Sequence, residues 1–203
     1  MVISRTLLLL PAAVLALAAP AVASTHTVGT NADERLPGTN GRDWIQAHAG
    51  DDRVLGLAGS DVLDGGDGKD LVVGGPGNDE MDGGRGGDRL SGGPGRDSLD
   101  GNAGRDVLRG GADDDFLADY DDGDLMLGGP GNDRAAILSE DPGGLAMTRL
   151  LLGPGDDNVT VNDDQQPDLI DCGPGHDVAE WVTTLDPTDQ YVDCEVIQEY
   201  LGY

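Results

Sequence analysis

The sequence predicts an all-β fold of short parallel strands wound into a coil, and three observations carry that prediction. Residues 65–100 read GGDGKDLVV, GGPGNDEMD, GGRGGDRLS and GGPGRDSLD, four tandem nonapeptides of the form Gly-Gly-x-Gly-x-Asp-x-apolar-x. The same phase runs without insertion over residues 38–136, which makes eleven repeats. Gly supplies 34 of the 203 residues and aromatics only 3%, so a conventional globular core is unavailable. A period this strict marks units that bury their apolar side only against their neighbours.

Each slot of the repeat has a physical reading. Gly at the first, second and fourth slots removes Cβ where the backbone turns sharply through positive φ. The Asp-x-apolar-x end is too short for a helix and alternates, so it reads as a minimal strand with its eighth residue pointing inward. Two nonapeptides then complete one turn of coil, one strand per side, and residues eighteen apart stack at roughly 4.8 Å. Where other residues replace the glycines, as in Ala47-His48, Asp119-Tyr120, Asp113 and Asp122, the turns are expected to differ.

The sixth slot is aspartate throughout: Asp43, Asp52, Asp61, Asp70, Asp79, Asp88, Asp97, Asp106, Asp115, Asp124 and Asp133. The eighth slots are Ile45, Val54, Leu63, Val72, Met81, Leu90, Leu99, Leu108, Leu117, Met126 and Ala135. Alternate repeats place the aspartates in two columns, Asp43 to Asp133 and Asp52 to Asp124. Bare carboxylate columns repel: two like charges at about 4 Å cost roughly 1 kcal/mol in water and roughly 4 at an effective dielectric of 20. A cation between rungs removes the conflict.

Over residues 38–136 the pattern resembles the RTX family, the hemolysin-type calcium-binding nonapeptide repeats. The resemblance implies a right-handed parallel β-roll whose turns bind Ca²⁺ between successive rungs. It also implies that the eleven sixth-slot aspartates, with turn carbonyls, are the metal ligands. The chemistry agrees, since Ca²⁺ accepts six to eight oxygens in irregular mixtures of carboxylate and carbonyl. The gaps in the two columns allow up to about nine ions in the regular repeats. No EF-hand loop with its twelfth-position Glu is present. The fault-free block at 65–100 is expected to hold Ca²⁺ most tightly, and the rungs of Asp115 and Asp124 less so.

The flanking segments complete the organisation. Residues 1–23 carry one cation, Arg5, an apolar run and the triplet Ala21-Val22-Ala23, which together read as a secretory signal peptide cleaved after Ala23. The run is shorter than the roughly 20 residues of a membrane span and is broken by Pro11 and Pro20. Residues 24–37 are polar and unpatterned and read as a flexible entry segment. In residues 137–171 the phase breaks and returns imperfectly, with Asp157 and Asp168 as weaker ligand candidates. Residues 172–203 form a C-terminal cap containing Asp177, a last strand, and the two cysteines of the chain, Cys172 and Cys194. In an exported protein that pair reads as a disulfide, because two cysteines and His176 fall short of a four-ligand zinc site.

These features bound the function. A net charge of -27, with Lys69 as the only lysine, argues against nucleic acid or an anionic membrane as a direct partner. The ordered phase of Gly and Asp argues against plain disorder despite the acidity. Carboxylate pairs are too numerous to mark a glycosidase, and no nucleophile elbow, P-loop or zinc-helix motif stands out, so no enzyme is expected. The expected function is a secreted calcium-binding repeat protein folded by extracellular Ca²⁺. Two alternatives are an adhesive module for a cell-surface polymer and an accessory to a secreted polysaccharide-modifying enzyme.

Overall fold

In the computed structural model, residues 23–120, 123–138, 147–161, 167–181 and 187–199 are described, so the expected signal peptide lies outside the described residues except for Ala23. The strands alternate between two parallel sheets as the chain winds. One sheet stacks β1 (His26–Val28), β3 (Trp44–Gln46), β5 (Val62–Gly68), β7 (Glu80–Gly86), β9 (Ser98–Asp100), β12 (Phe116–Asp119), β14 (Arg134–Ile137), β16 (Asn158–Val161), β18 (Val178–Trp181) and β20 (Val196–Glu199). The short β10 (Ala103–Gly104) pairs beside β7. The other sheet stacks β2 (Arg35–Pro37), β4 (Arg53–Leu55), β6 (Leu71–Val73), β8 (Arg89–Pro94), β11 (Val107–Ala112), β13 (Leu125–Leu127), β15 (Arg149–Leu151), β17 (Leu169–Asp171) and β19 (Gln190–Val192). Every pairing among the described strands is parallel, and no helix occurs among the described residues. This is a parallel β-roll.

The register follows the nonapeptide. Leu63 lies opposite Met81 and Val72 opposite Leu90, so residues eighteen apart are neighbours. All eleven eighth-slot side chains are at most 3% exposed and form one core along the coil axis. Beyond Ala135 the step lengthens: Ala135 pairs with Val159, Leu150 with Ile170 and Ile170 with Tyr191. The irregular continuation thus keeps the strand geometry and changes only the spacing.

Two sequence expectations are corrected. Residues 24–37 are the first rung rather than a loose entry, because β1 pairs with β3 and β2 with β4, with Leu36 inside the core. The turns at His48, Leu57, Asn102 and Asp113 keep the hand of the glycine turns, with φ of 79°, 80°, 64° and 77°, whereas Tyr120 does not take a positive φ and Asp122 lies outside the described residues. Stacking of each turn on its neighbours imposes the left-handed backbone, and the side chain tolerates it.

At the C-terminus β19 and β20 extend the two ladders, and Cys172 is bonded to Cys194 with S–S 2.00 Å. Cys172 is fully buried. Closing a loop of this length stabilises by about 3 kcal/mol in the chain-entropy view.

Candidate metal centre

Strand alternation points slots six and eight inward, and the next inward position is the first slot of the following repeat. Each sixth-slot aspartate therefore projects into the coil, and all eleven are at most 3% exposed. One oxygen of the carboxylate has a structural task. Oδ1 of Asp61, Asp79 and Asp97 accepts from the backbone N–H of Asp43, Asp61 and Asp79, each at 2.8 Å. In the other column Oδ1 of Asp70, Asp88 and Asp106 accepts from Asp52, Asp70 and Asp88 at 2.7–2.8 Å. The side chains thus join rung to rung where the strands have ended.

The second oxygen is different. Oδ2 of Asp52, Asp61, Asp70, Asp79, Asp88, Asp97, Asp115, Asp133, Asp157 and Asp177 is buried with no hydrogen-bond partner. What surrounds it is more oxygen. A Cβ placed on Gly56 would lie 2.5 Å from Asp61 Oδ2 and 2.7 Å from the Gly74 carbonyl. On Gly77, in the fourth slot, it would lie 1.4 Å from the Gly59 carbonyl. The glycines thus keep open a lining of carboxylate and backbone carbonyl oxygens.

The electrostatics follow from this lining. Burial, partly offset by the backbone hydrogen bond and reinforced by nearby carboxylates (Asp52 for Asp70, Asp61 for Asp79, Asp114 for Asp133), raises Asp70, Asp79 and Asp133 to about 6. The same causes raise Asp88, Asp97, Asp115 and Asp157 to about 7. Asp52, Asp61 and Asp177 move in the same direction. Asp43 differs: burial pushes it up, but hydrogen bonds from Thr39 and Thr25 outweigh that and hold it below the usual carboxylate value. A hard divalent cation suits this donor set, and the residues that would hold it are the sixth-slot aspartates with the turn carbonyls.

The structure also assigns column positions that the strict period does not reveal. Glu34 occupies the sixth slot of the first rung, where its N–H donates to Asp52 Oδ1 at 2.7 Å. Thr148, 1% exposed, takes the place of an aspartate between Asp124 and Asp168, and its N–H donates to Asp168 Oδ1 at 3.0 Å. Asp168 in turn donates from its N–H to Asp189 Oδ1 at 3.0 Å. The other column runs on through Asp157 and Asp177. The signal for these positions was a polar residue two before an inward apolar one, in Glu34-Arg35-Leu36 and Thr148-Arg149-Leu150. Asp119, in a first slot, brings a third carboxylate to Asp106 and Asp124, with ligand oxygens within 4.8 Å of one another.

A second ladder lies outside, in the fifth slot. Asn78 Oδ1 accepts from Arg96 N at 3.1 Å and Asp114 Oδ1 from Asn132 N at 3.0 Å. Short polar residues recur there because they span one rung. Trp44 is an outer-face residue, 47% exposed, with the His26 ring edge-on at 4.0 Å.

Fold and site together define a class, the parallel β-roll whose turns present stacked oxygen cradles to divalent cations. Comparison with protein families matches residues 28–63, 49–81, 82–117 and 100–135 to the RTX calcium-binding nonapeptide repeat. The chain belongs to that family. No curated protein shows significant similarity to it.

Proposed function

We propose that this chain is an exported calcium-binding protein whose β-roll is folded by extracellular Ca²⁺, and that it acts by binding rather than by catalysis. The observation that carries the proposal is the set of ten buried Oδ2 atoms without a hydrogen-bond partner. A buried polar group left unsatisfied costs about 1–3 kcal/mol, and more when charged. Ten such costs rival the whole stability of a domain, about 5–15 kcal/mol. Ca²⁺ supplies charge and an oxygen-seeking coordination shell, at affinities of about 10⁻⁴–10⁻³ M in extracellular modules. Such affinity leaves the chain open inside the cell and closes it outside. Export rests on the apolar N-terminal run and the Ala21-Val22-Ala23 triplet.

Far-UV circular dichroism of the disulfide-intact mature chain, in EDTA and in about 5 mM Ca²⁺, tests the reading. The expected result is a largely disordered spectrum in EDTA and a β spectrum in Ca²⁺. An unchanged β spectrum in EDTA would sink the switch. Intact mass of the exported protein tests the N-terminus, which is expected at Ser24.

A further inference from the structure

The cations of this acidic chain are not scattered. On the outer face of the sheet from β2 to β15, the seventh and ninth slots carry Arg35, Arg53, Arg89, Arg109 and Arg149 and no acid. The opposite outer face carries Asp64, Glu80, Asp82 and Asp100 in the same slots. A cleft of about 650 Å³ at the edge of the basic face is lined by Lys69, Arg85, Arg89 and Arg105, with Asp51 as its one acid. A second cleft of about 360 Å³ shares Arg89 and Arg105 and continues to Met147 and Arg149, so the two form one groove. The carboxylates lining the second are the buried sixth-slot groups of Asp106 and Asp124.

These cations are available. Arg85 approaches Asp67 at only 4.0 Å, between two highly exposed side chains. Among the described residues Lys69, Arg89, Arg105 and Arg149 make no ion pair. Arg105 is nevertheless held in place, since its Nε donates to the Gly123 carbonyl at 2.8 Å. Lys69 and Arg105 share one slot two rungs apart, about 10 Å along the axis at the strand spacing. Arg89 and Arg149 are three rungs apart through Val107 and Leu125. A groove in which cations outnumber acids concentrates anions, and here it does so against a net charge of -27.

We propose that this groove binds a linear acidic polysaccharide, with Lys69, Arg85, Arg89 and Arg105 contacting its carboxylate or sulfate groups. Cations repeated along the coil, two rungs from Lys69 to Arg105 and three from Arg89 to Arg149, match the repeating anionic groups of a linear chain. No aromatic residue lines either cleft, so the stacking platform that single-stranded nucleic acids use is missing. The choice of polysaccharide as the polyanion rests on the export reading above; the binding of a polyanion does not.

The test is titration of the mature, disulfide-intact chain in about 5 mM Ca²⁺ with dextran sulfate and with neutral dextran. Circular dichroism of the same samples establishes that the roll is folded, so loss of binding and loss of the calcium fold are read separately. Dextran sulfate is expected to bind and dextran not to bind. The affinity should fall with salt at a log–log slope of about 3, for four contacts at about 0.7 each on a single-stranded polyanion. Arg89→Gln/Arg105→Gln should lower affinity at least tenfold, Lys69→Gln should lower it less, and Arg134→Gln on the other sheet should leave it unchanged. Lys69→Gln keeps the test decisive if the double variant misfolds. Equal binding by wild type and the groove variants overturns the proposal, as does equal binding of neutral dextran. Tighter binding of a single-stranded oligonucleotide or of anionic vesicles than of dextran sulfate also overturns it.

Discussion

The fault-free block at residues 65–100 and the C-terminal coil from Arg149 onward stack in the same way and are held together differently. In the block each strand contributes one inward apolar residue, Val72, Met81, Leu90 or Leu99, and the next inward position is glycine. In the C-terminal coil that position is filled: Leu150 is followed by Leu152, Val159 by Val161 and Ile170 by Cys172, all at most 2% exposed. Each extra side chain buries about 1.5–3 kcal/mol of apolar surface, and the disulfide adds to it. The column of aspartates is meanwhile interrupted at Thr148. First-slot glycine is therefore not required by the coil, which continues with Leu152 or Cys172 in that place. In the block it keeps the space beside the sixth-slot Oδ2 open to backbone carbonyl oxygen, whereas Leu152 and Cys172 bring apolar atoms into that space beside Asp157 and Asp177.

The largest expected effect breaks the molecule along this line. In EDTA the amides of the 65–100 block should lose all measurable protection from hydrogen exchange, while those of β16 to β18 retain part of theirs. In Ca²⁺ both should be protected. Simultaneous loss in both regions would show that the coil is one cooperative unit.

Exchanging the first-slot residues sharpens the comparison. Leu152→Gly should cost about 3 kcal/mol of stability, as a large-to-small core change, and leave calcium stoichiometry unchanged. Gly74→Ala should do the reverse. Its Cβ would lie 2.2 Å from Asp79 Oδ2, inside the oxygen cradle, so calorimetric titration should show the loss of calcium at that rung. If Gly74→Ala left the stoichiometry intact, the glycine would be serving the backbone alone.

A smaller effect comes from protons. The raised aspartates, about 6 to 7 in the folded chain, hold protons that the unfolded chain releases. Their contribution is therefore present at low pH and is lost as pH rises through about 6 to 7. Without Ca²⁺ the chain should gain β structure on acidification from about pH 8 to pH 5. With Ca²⁺ the ions compete with those protons, so apparent affinity should fall up to tenfold per pH unit below about 6. Asp43, held low by Thr25 and Thr39, contributes with the opposite sign. A metal-free chain that lost structure on acidification would contradict this.

How much was legible follows from spacing. The eleven aspartates and the eleven core residues fell in their predicted places because a period of nine makes column and core the same arithmetic. The disulfide was legible from an even cysteine count in a chain read as exported. Thr148 and Asp189 stand 24 and 21 residues from the preceding member of the column, so no fixed period could place them, whereas Asp168 was read from the degraded repeat around it. Glu34 was missed because only Leu36 announces its rung. The second inward residue of the C-terminal strands was hidden for a physical reason: glycine in the regular repeats leaves nothing there to pattern on.

The smallest expected effect concerns the fourth slot. Asp113 sits where the repeat places glycine and takes φ 77°, a left-handed conformation that favours glycine. Its N–H still donates to the Pro130 carbonyl at 3.0 Å, so the turn keeps its place in the stack. The residue thus bears a backbone cost without losing the bond that fixes the rung, and its carboxylate also repels Asp97 and Asp115. Asp113→Gly should accordingly stabilise the metal-free chain by about 0.5–1 kcal/mol, read as a shift in the urea midpoint. Glycine's greater freedom in the unfolded chain offsets part of the gain and keeps it small. The reverse change one rung away is not symmetric. At Gly95, φ 129°, a Cβ would lie 1.7 Å from the Gly77 carbonyl, so Gly95→Asp should cost several times as much. Equal and opposite shifts would mean that the fourth slot tolerates a side chain anywhere in the coil. Unequal shifts would mean that the turn at Asp113 has opened by enough to admit one.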